Sequence, residues 1–373
     1  MSVASALVVG NDALPALAEE AFRQALAKTA ERQANGVLLF LTPDFSRDAQ
    51  RTVTAVARAA RCIQLAGGIA AGVFTESGWV LDRPAAAVMV FAGRLALGHR
   101  EATADSVEPS LSYAGSHFPC AWGDAREKHF GGSFAGHPGH VEPVAWQQSR
   151  LAGHCNVQIF GTRIDIGVSR GWRLLGEPTA VDSSRAYDLL RMGGESALEQ
   201  LLRCLPGNHH RQAKLPLASL CAVLIDDLGS VGERYAFDEA AYHPIAIIAA
   251  NPDKSLTLAE RVAPGQRLAW AMRTPQATAA DMHRSVDHLA VAVPDPVAAI
   301  MFSCIGRGPY FYGGEDHDVD CIRRRFPGLP LIGSYGTGQI APRPGCGSRL
   351  LQNAVVTALI STSTAKADVQ SQS

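Results

Sequence analysis

The sequence lacks the motifs of several common catalytic and redox classes. Eight cysteines stand singly at Cys62, Cys120, Cys155, Cys204, Cys221, Cys304, Cys321 and Cys346. With no CxxC pair, neither a zinc ribbon nor a thioredoxin-like dithiol is written in them, and reduced thiols are the expectation. The phosphate-cradling GxxxxGK[ST] loop and the HExxH zinc helix are absent, and so is the GxSxG elbow of the hydrolases. Charge is scarce as well: 18% of the chain is charged and 34 basic residues face 35 acidic ones. That balance leaves no electrostatic footprint for nucleic acid or anionic lipid. Met1 to Gly10 has no basic stretch ahead of its apolar run, and no segment approaches the roughly 20 apolar residues of a membrane span. A cytosolic protein with no membrane partner is expected.

What the chain does have is apolar residues and glycine. Hydrophobic residues make up 47% of the 373, with 35 glycines, a mixture that suits sheets carrying helices on tight turns. The length suits two domains or two fused halves. Gly36 to Leu41 is a continuous apolar run of strand length, a helix is expected over about 47–60, and Ala66-Gly67-Gly68-Ile69-Ala70-Ala71-Gly72 leads to the apolar strand Ala85 to Phe91. The C-terminal end repeats that order with a strand Ala298 to Ser303, a helix Val319 to Arg325, the run Pro330 to Gly338 and a strand Ala354 to Ile360. A further copy of the glycine element stands at Gly131-Gly132-Ser133-Phe134-Ala135-Gly136. The pattern predicts an internal duplication: an α/β fold of two related halves with mixed sheets flanked by helices. The boundary is expected at Leu205-Pro206-Gly207, giving domains 1–206 and 207–362 with a polar tail over 363–373.

Candidate functional residues cluster near the C-terminal end. Arg307, between Gly306 and Gly308 just beyond an apolar strand, can aim a planar fork at a carboxylate or phosphate, or brace its own loop by a salt bridge. Cys304 ends that strand with no adjacent base, so a buried inert thiol competes with a nucleophile. Tyr335 and Gln339, flanked by Gly336 and Gly338, offer a hydroxyl and an amide to a small polar ligand, or fill the core. Five histidines between His117 and His154 raise metal or haem ligation, but Pro138 and Gly139 keep His137 and His140 off one helix face.

These segments resemble a known family. Ala299 to Gly308 (AIMFSCIGRG) with Leu329 to Pro342 (LPLIGSYGTGQIAP) looks like the signature of the FIST C-terminal domain, and the 36–43, 67–72, 130–132 and 169–176 segments look like the FIST N-terminal domain in the same order. The resemblance implies a small-ligand-binding sensory protein that acts on a separate effector such as a histidine kinase or cyclase, with an amino acid or similar metabolite as ligand. It implies no catalysis, and it places ligand-binding residues at Ser303, Cys304, Arg307, Gly333, Tyr335, Gln339, Gly68, Arg170 and Trp172. Gln339 and Ala341 stand where the family pattern usually has Glu and Gly. A haem-based nitric-oxide sensor and a thiol-dependent enzyme using Cys304 are the competing functions.

Overall fold

Val37 to Leu41 are wholly buried, which is what a strand covered on both faces requires. In the computed structural model, which describes residues 2–99, 108–124, 127–136, 145–206, 215–225, 242–343 and 347–363, this strand is the centre of a repeated motif. The first copy runs β1 (Val3–Val9), α1 (Pro15–Ala27), β2 (Gly36–Leu41), α2 (Ala49–Ala60), β3 (Leu65–Ile69), a hairpin of β4 (Gly72–Thr75) and β5 (Gly78–Val80), then β6 (Ala85–Phe91). The second runs β7 (Ala96–Gly98), β8 (Ser110–Ala114), α3 (Cys120–Asp124), β9 (His129–Ser133), a hairpin of β10 (Ala145–Gln147) and β11 (Arg150–Ala152), then β12 (His154–Phe160).

A third copy opens with β13 (Thr162–Ser169) and is interrupted by a separate compact unit, residues 171–280. That unit holds β14 (Trp172–Leu174), β15 (Thr179–Arg185), β16 (Asp188–Met192), β17 (Glu195–Ser196), α4 (Ala197–Cys204), β18 (Leu220–Ile225), β19 (Tyr242–Ala250), β20 (Leu256–Leu258) and β21 (Arg267–Arg273). Its strands follow the order β14-β21-β15-β16-β20-β19-β18, and pairing of β18 with β21 closes a barrel around Leu189, Met192, Ile245, Leu256, Leu268 and Trp270. The third copy resumes with α5 (Pro275–Ala292), which belongs to the first unit from Asp281 on. It continues through β22 (Ala298–Cys304), α6 (His317–Arg325), β23 (Leu331–Gly336), a hairpin of β24 (Gly338–Pro342) and β25 (Ser348–Leu351), and β26 (Val355–Thr362).

The expected match between 36–91 and 298–360 is present. In both, the central strand pairs parallel with the strand after its helix and antiparallel with the last one, giving β6-β2-β3 and β26-β22-β23. The second copy has the same order, β12-β8-β9, so the motif occurs three times. Each copy also lends its hairpin to another copy's sheet, producing the six-stranded orders β1-β6-β2-β3-β10-β11, β7-β12-β8-β9-β24-β25 and β13-β26-β22-β23-β4-β5. The exchange is cyclic: first to third, third to second, second to first. The compact units therefore part at 170/171 and 280/281, and position 206/207 falls inside the barrel unit, because β14–β17 and α4 complete a barrel with β18–β21. Of the expected tail, 364–373 lie outside the described residues. Among the described residues no helix is long and apolar enough to cross a membrane.

Equivalent positions in the three copies meet in the first unit's core. The rings of Phe40, Tyr113 and Phe302 lie 5.3, 5.7 and 6.2 Å apart, in tilted and edge-on arrangements typical of aromatic pairs. One residue earlier on the partner strand, Gly67, Gly131 and Gly333 face Leu39, Ser112 and Met301 across the parallel ladders. The three glycine strands then join at their ends. Ala71 N donates to Tyr335 O (2.9 Å) and Thr337 N to Ser133 O (2.8 Å). The third link of the ring is replaced by Tyr113 Oη donating to Ile69 O (2.8 Å) and Ala135 N donating to Thr337 Oγ1 (2.9 Å).

Two substitutions test this core. Gly131→Ala, whose methyl would stand 1.7 Å from Ser112 O, should lower the urea-unfolding free energy by about 3 kcal/mol or prevent folding. Tyr113→Phe, which leaves the Ile69 carbonyl without its hydroxyl donor, should lower it by about 1–3 kcal/mol. Wild-type midpoints in either variant contradict the assignment.

Candidate functional site

The loop from Cys304 to Asp316 closes over a buried ionic cluster. Arg307 and Asp318 are both fully buried. Arg307 Nε and Nη2 donate to Asp318 Oδ2 and Oδ1 at 2.8 and 3.0 Å, a bidentate fork. Its Nη1 and Nη2 also donate to Ser169 O and Oγ, each at 2.8 Å. Burial works against the guanidinium charge, yet Asp318 outweighs it and keeps the group protonated above its ordinary range. The carboxylate that Arg307 faces in this structure is the chain's own.

Asp316 begins α6. Its Oδ1 accepts from Asp318 N and Val319 N at 2.9 Å, capping the helix, and its Oδ2 accepts from the Tyr335 hydroxyl. Burial, with Asp318 beside it, pushes the Asp316 carboxyl up to about 6. Burial and the two carboxylates hold the Tyr335 hydroxyl protonated well above its usual range. Tyr312 Oη donates to Asp318 Oδ1 at 2.9 Å, and its ring stacks on His317 at 4.6 Å.

The other sequence-derived residues are packed into the same layers. Ser303 lies opposite Tyr335, and Gly333 opposite Met301, in the β22–β23 ladder. Ser303 is buried, its hydroxyl without a partner among the described residues. Cys304 Sγ lies 3.8 Å from Asn353 Oδ1, an amide that neither takes its proton nor carries positive charge. Gln339 is buried and accepts from Ala354 N at 3.3 Å. Gly68 lies opposite Ala145 of the β10 hairpin. Arg170 donates its N–H to Asp281 Oδ2 at 2.9 Å. Trp172 belongs to the barrel unit, where the Arg273 guanidinium sits 5.5 Å from its ring.

Haem does not fit His129. His129 is 1% exposed, bonded to Ser112 Oγ through Nδ1 (3.0 Å) and stacked 4.9 Å from Trp122, so its buried Nε2 has no open face for a macrocycle. His137, His140 and Cys346 lie outside the described residues.

An open concavity lies elsewhere, at the opposite end of β23 and the last turn of α6. This cleft of about 530 Å³ is lined by Glu76, Asp320, Arg323 and Arg324 around Ile322, Phe326, Leu329 and Leu331. Glu76 is held by Leu331 N (3.1 Å), the Ser5 hydroxyl and, at 3.6 Å, Lys28 Nζ. Arg323 pairs with Asp320 at 3.1 Å. None of these residues was a site candidate in the sequence. The run Arg323-Arg324-Arg325 after an apolar helix face was the available signal.

Residues 197–342 match the model of the FIST C domain. The match covers about two fifths of the chain. The FIST C match begins on α4 in the barrel unit and ends at the last residue of β24, so it includes Arg307, Tyr335, Gln339 and most of the cleft. The chain is also similar to uncharacterized protein Rv0628c of Mycobacterium tuberculosis, 26% identical over 197 residues, which are 52% of this chain and 50% of the relative. Uncharacterized protein Mb0898c of Mycobacterium bovis is 26% identical over 198 residues, 52% of this chain and 50% of the relative. The chain spans about half the length of the curated relatives it matches.

The Asp316 carboxyl gives the FIST C segment a pH signature. Its folded value, about 6, lies above its ordinary value of 3.8, so the folded state holds the proton more tightly than the unfolded chain. That contribution to stability is fully present below about pH 4 and is lost as pH rises through 6. The difference in unfolding free energy between wild type and Asp316→Asn, measured across this window, should therefore fall with rising pH; a flat difference rules the assignment out.

Proposed function

We propose that this chain is a small-ligand-binding sensory module, not a catalyst, which acts on a separate effector such as a histidine kinase or cyclase. FIST C is a sensory-type domain family. The observation that carries the reading is the cleft at the end of α6. Its volume, about 530 Å³, suits a small metabolite, and its make-up of an apolar floor with a few converging polar groups is that of a ligand site. Residues of both signs line it, Arg323 and Arg324 with Glu76 and Asp320, both arginines reaching Asp320 at 3.1 and 4.0 Å. An amino acid is the ligand class that uses both, its carboxylate on the arginines, its ammonium on the acids and its side chain on Phe326 and Leu329. The convergence of the three glycine strands is closed by its own hydrogen bonds, which is why the reading places the ligand in the cleft.

A thermal-shift screen of the amino acids tests this, because a ligand at a hundredfold its Kd adds about 2.7 kcal/mol to the native state. At least one amino acid should raise the melting temperature, and Arg323→Glu combined with Arg324→Glu should weaken that binding about tenfold or more, roughly 1.4 kcal/mol. Absence of any shift, or a shift unchanged in the double variant, refutes the assignment of the cleft.

A further inference from the structure

In the first copy of the motif, β1 and α1 are joined by residues 10–14, whereas the equivalent connection in the third copy, residues 170–274 between β13 and α5, carries all the strands of the barrel unit. The chain leaves the first unit at Arg170 and returns at Asp281. Side chains of the first unit tie these two points together. Ser169 Oγ donates to Asp281 Oδ2 at 2.7 Å, and Arg170 N donates to the same oxygen at 2.9 Å. Arg307 donates to Ser169 O and to Ser169 Oγ, so one serine hydroxyl links the guanidinium to the returning helix.

The fold by itself does not call for a charge at this corner. Leu41 and Ser303 hold equivalent places on β2 and β22, and each strand is followed by a 3₁₀ turn. Counting forward, Phe45 stands where Arg307 does, and both are fully buried. An apolar ring makes the corner where the connection is short, and an arginine makes it where the connection holds an inserted unit. A buried ion pair gains little over well-packed apolar residues, so the choice of arginine is explained by what it holds.

We propose that Ser169, Asp281 and Arg307 form a latch on the neck of the inserted barrel, fastening Arg170 to Asp281 on the first unit's side of a further tie in which Thr278 Oγ1 donates to Gly171 O at 3.2 Å, and that opening the latch frees the backbone at Arg170. The latch stands whether or not the cleft takes a ligand. Asp318 fixes Arg307 from α6, the helix whose far end borders the cleft.

Hydrogen exchange and limited trypsin digestion of the full chain test the latch, with Asp281→Ala and the nearly isosteric Ser169→Ala as variants. The amide of Arg170 should exchange at least tenfold faster than in wild type, and trypsin should cut after Arg170. Amides of β22 and of the barrel strand β21 should exchange at the wild-type rate. Wild-type exchange at the neck in both variants overturns the proposal. So does acceleration spread equally through β22, which would mean general destabilisation; Ser169→Ala decides if Asp281→Ala fails to fold.

Discussion

A methyl group at Gly67, Gly131 or Gly333 would lie 1.9, 1.7 or 2.3 Å from a carbonyl oxygen on the adjoining parallel strand, closer than any real contact. This absence of a side chain governs the first unit. The residue opposite each glycine on the exchanged hairpin is large: Trp146 faces Gly67, Ile340 faces Gly131 and Phe74 faces Gly333. Each copy of the motif thus offers a gap and fills another copy's gap. The neighbouring residues on the partner strands, Phe40, Tyr113 and Phe302, then come within ring contact of one another. Cyclic exchange of hairpins and the aromatic centre follow from one close approach made three times.

The symmetry stops at the polar cluster. The first copy has Phe45 at a buried corner where the third has Arg307 facing Asp318. Removing one partner of such a pair leaves an uncompensated buried charge, at a cost of about 3–5 kcal/mol. Two effects oppose each other at Asp316. Its place at the start of α6, with two backbone N–H donors, favours the carboxylate. Burial beside Asp318 favours the acid, and it prevails. Burial likewise pushes the Cys321 thiol up to about 12 although the His283 ring lies 3.3 Å away, so this pair is a thiol–imidazole hydrogen bond and not a thiolate.

Much of the framework was legible because it is local. The runs 36–41, 85–91 and 298–304 are continuous and apolar, as buried strands must be, and the glycine element was readable in all three copies. The helix α5 was not read: His283, Arg284, Asp287 and His288 interrupt it, although Met282, Val286, Leu289, Ala290 and Val293 hold helical spacing. The barrel also escaped reading, since β15 is largely polar and closure depends on β18 pairing with β21 across more than forty residues of chain.

The sequence by itself determined which segments are strands, where glycine permits close approach, and the likeness to FIST domains, because apolar runs and missing side chains act through neighbours a few residues away. Only the tertiary structure decided what Arg307 and Tyr335 face, which sheet each hairpin joins, and where an open cleft remains. A charged or hydroxylated side chain takes whatever partner the fold delivers, and Asp318, Asp316 and Ser169 arrive at Arg307 and Tyr335 only once α6 and β13 are packed.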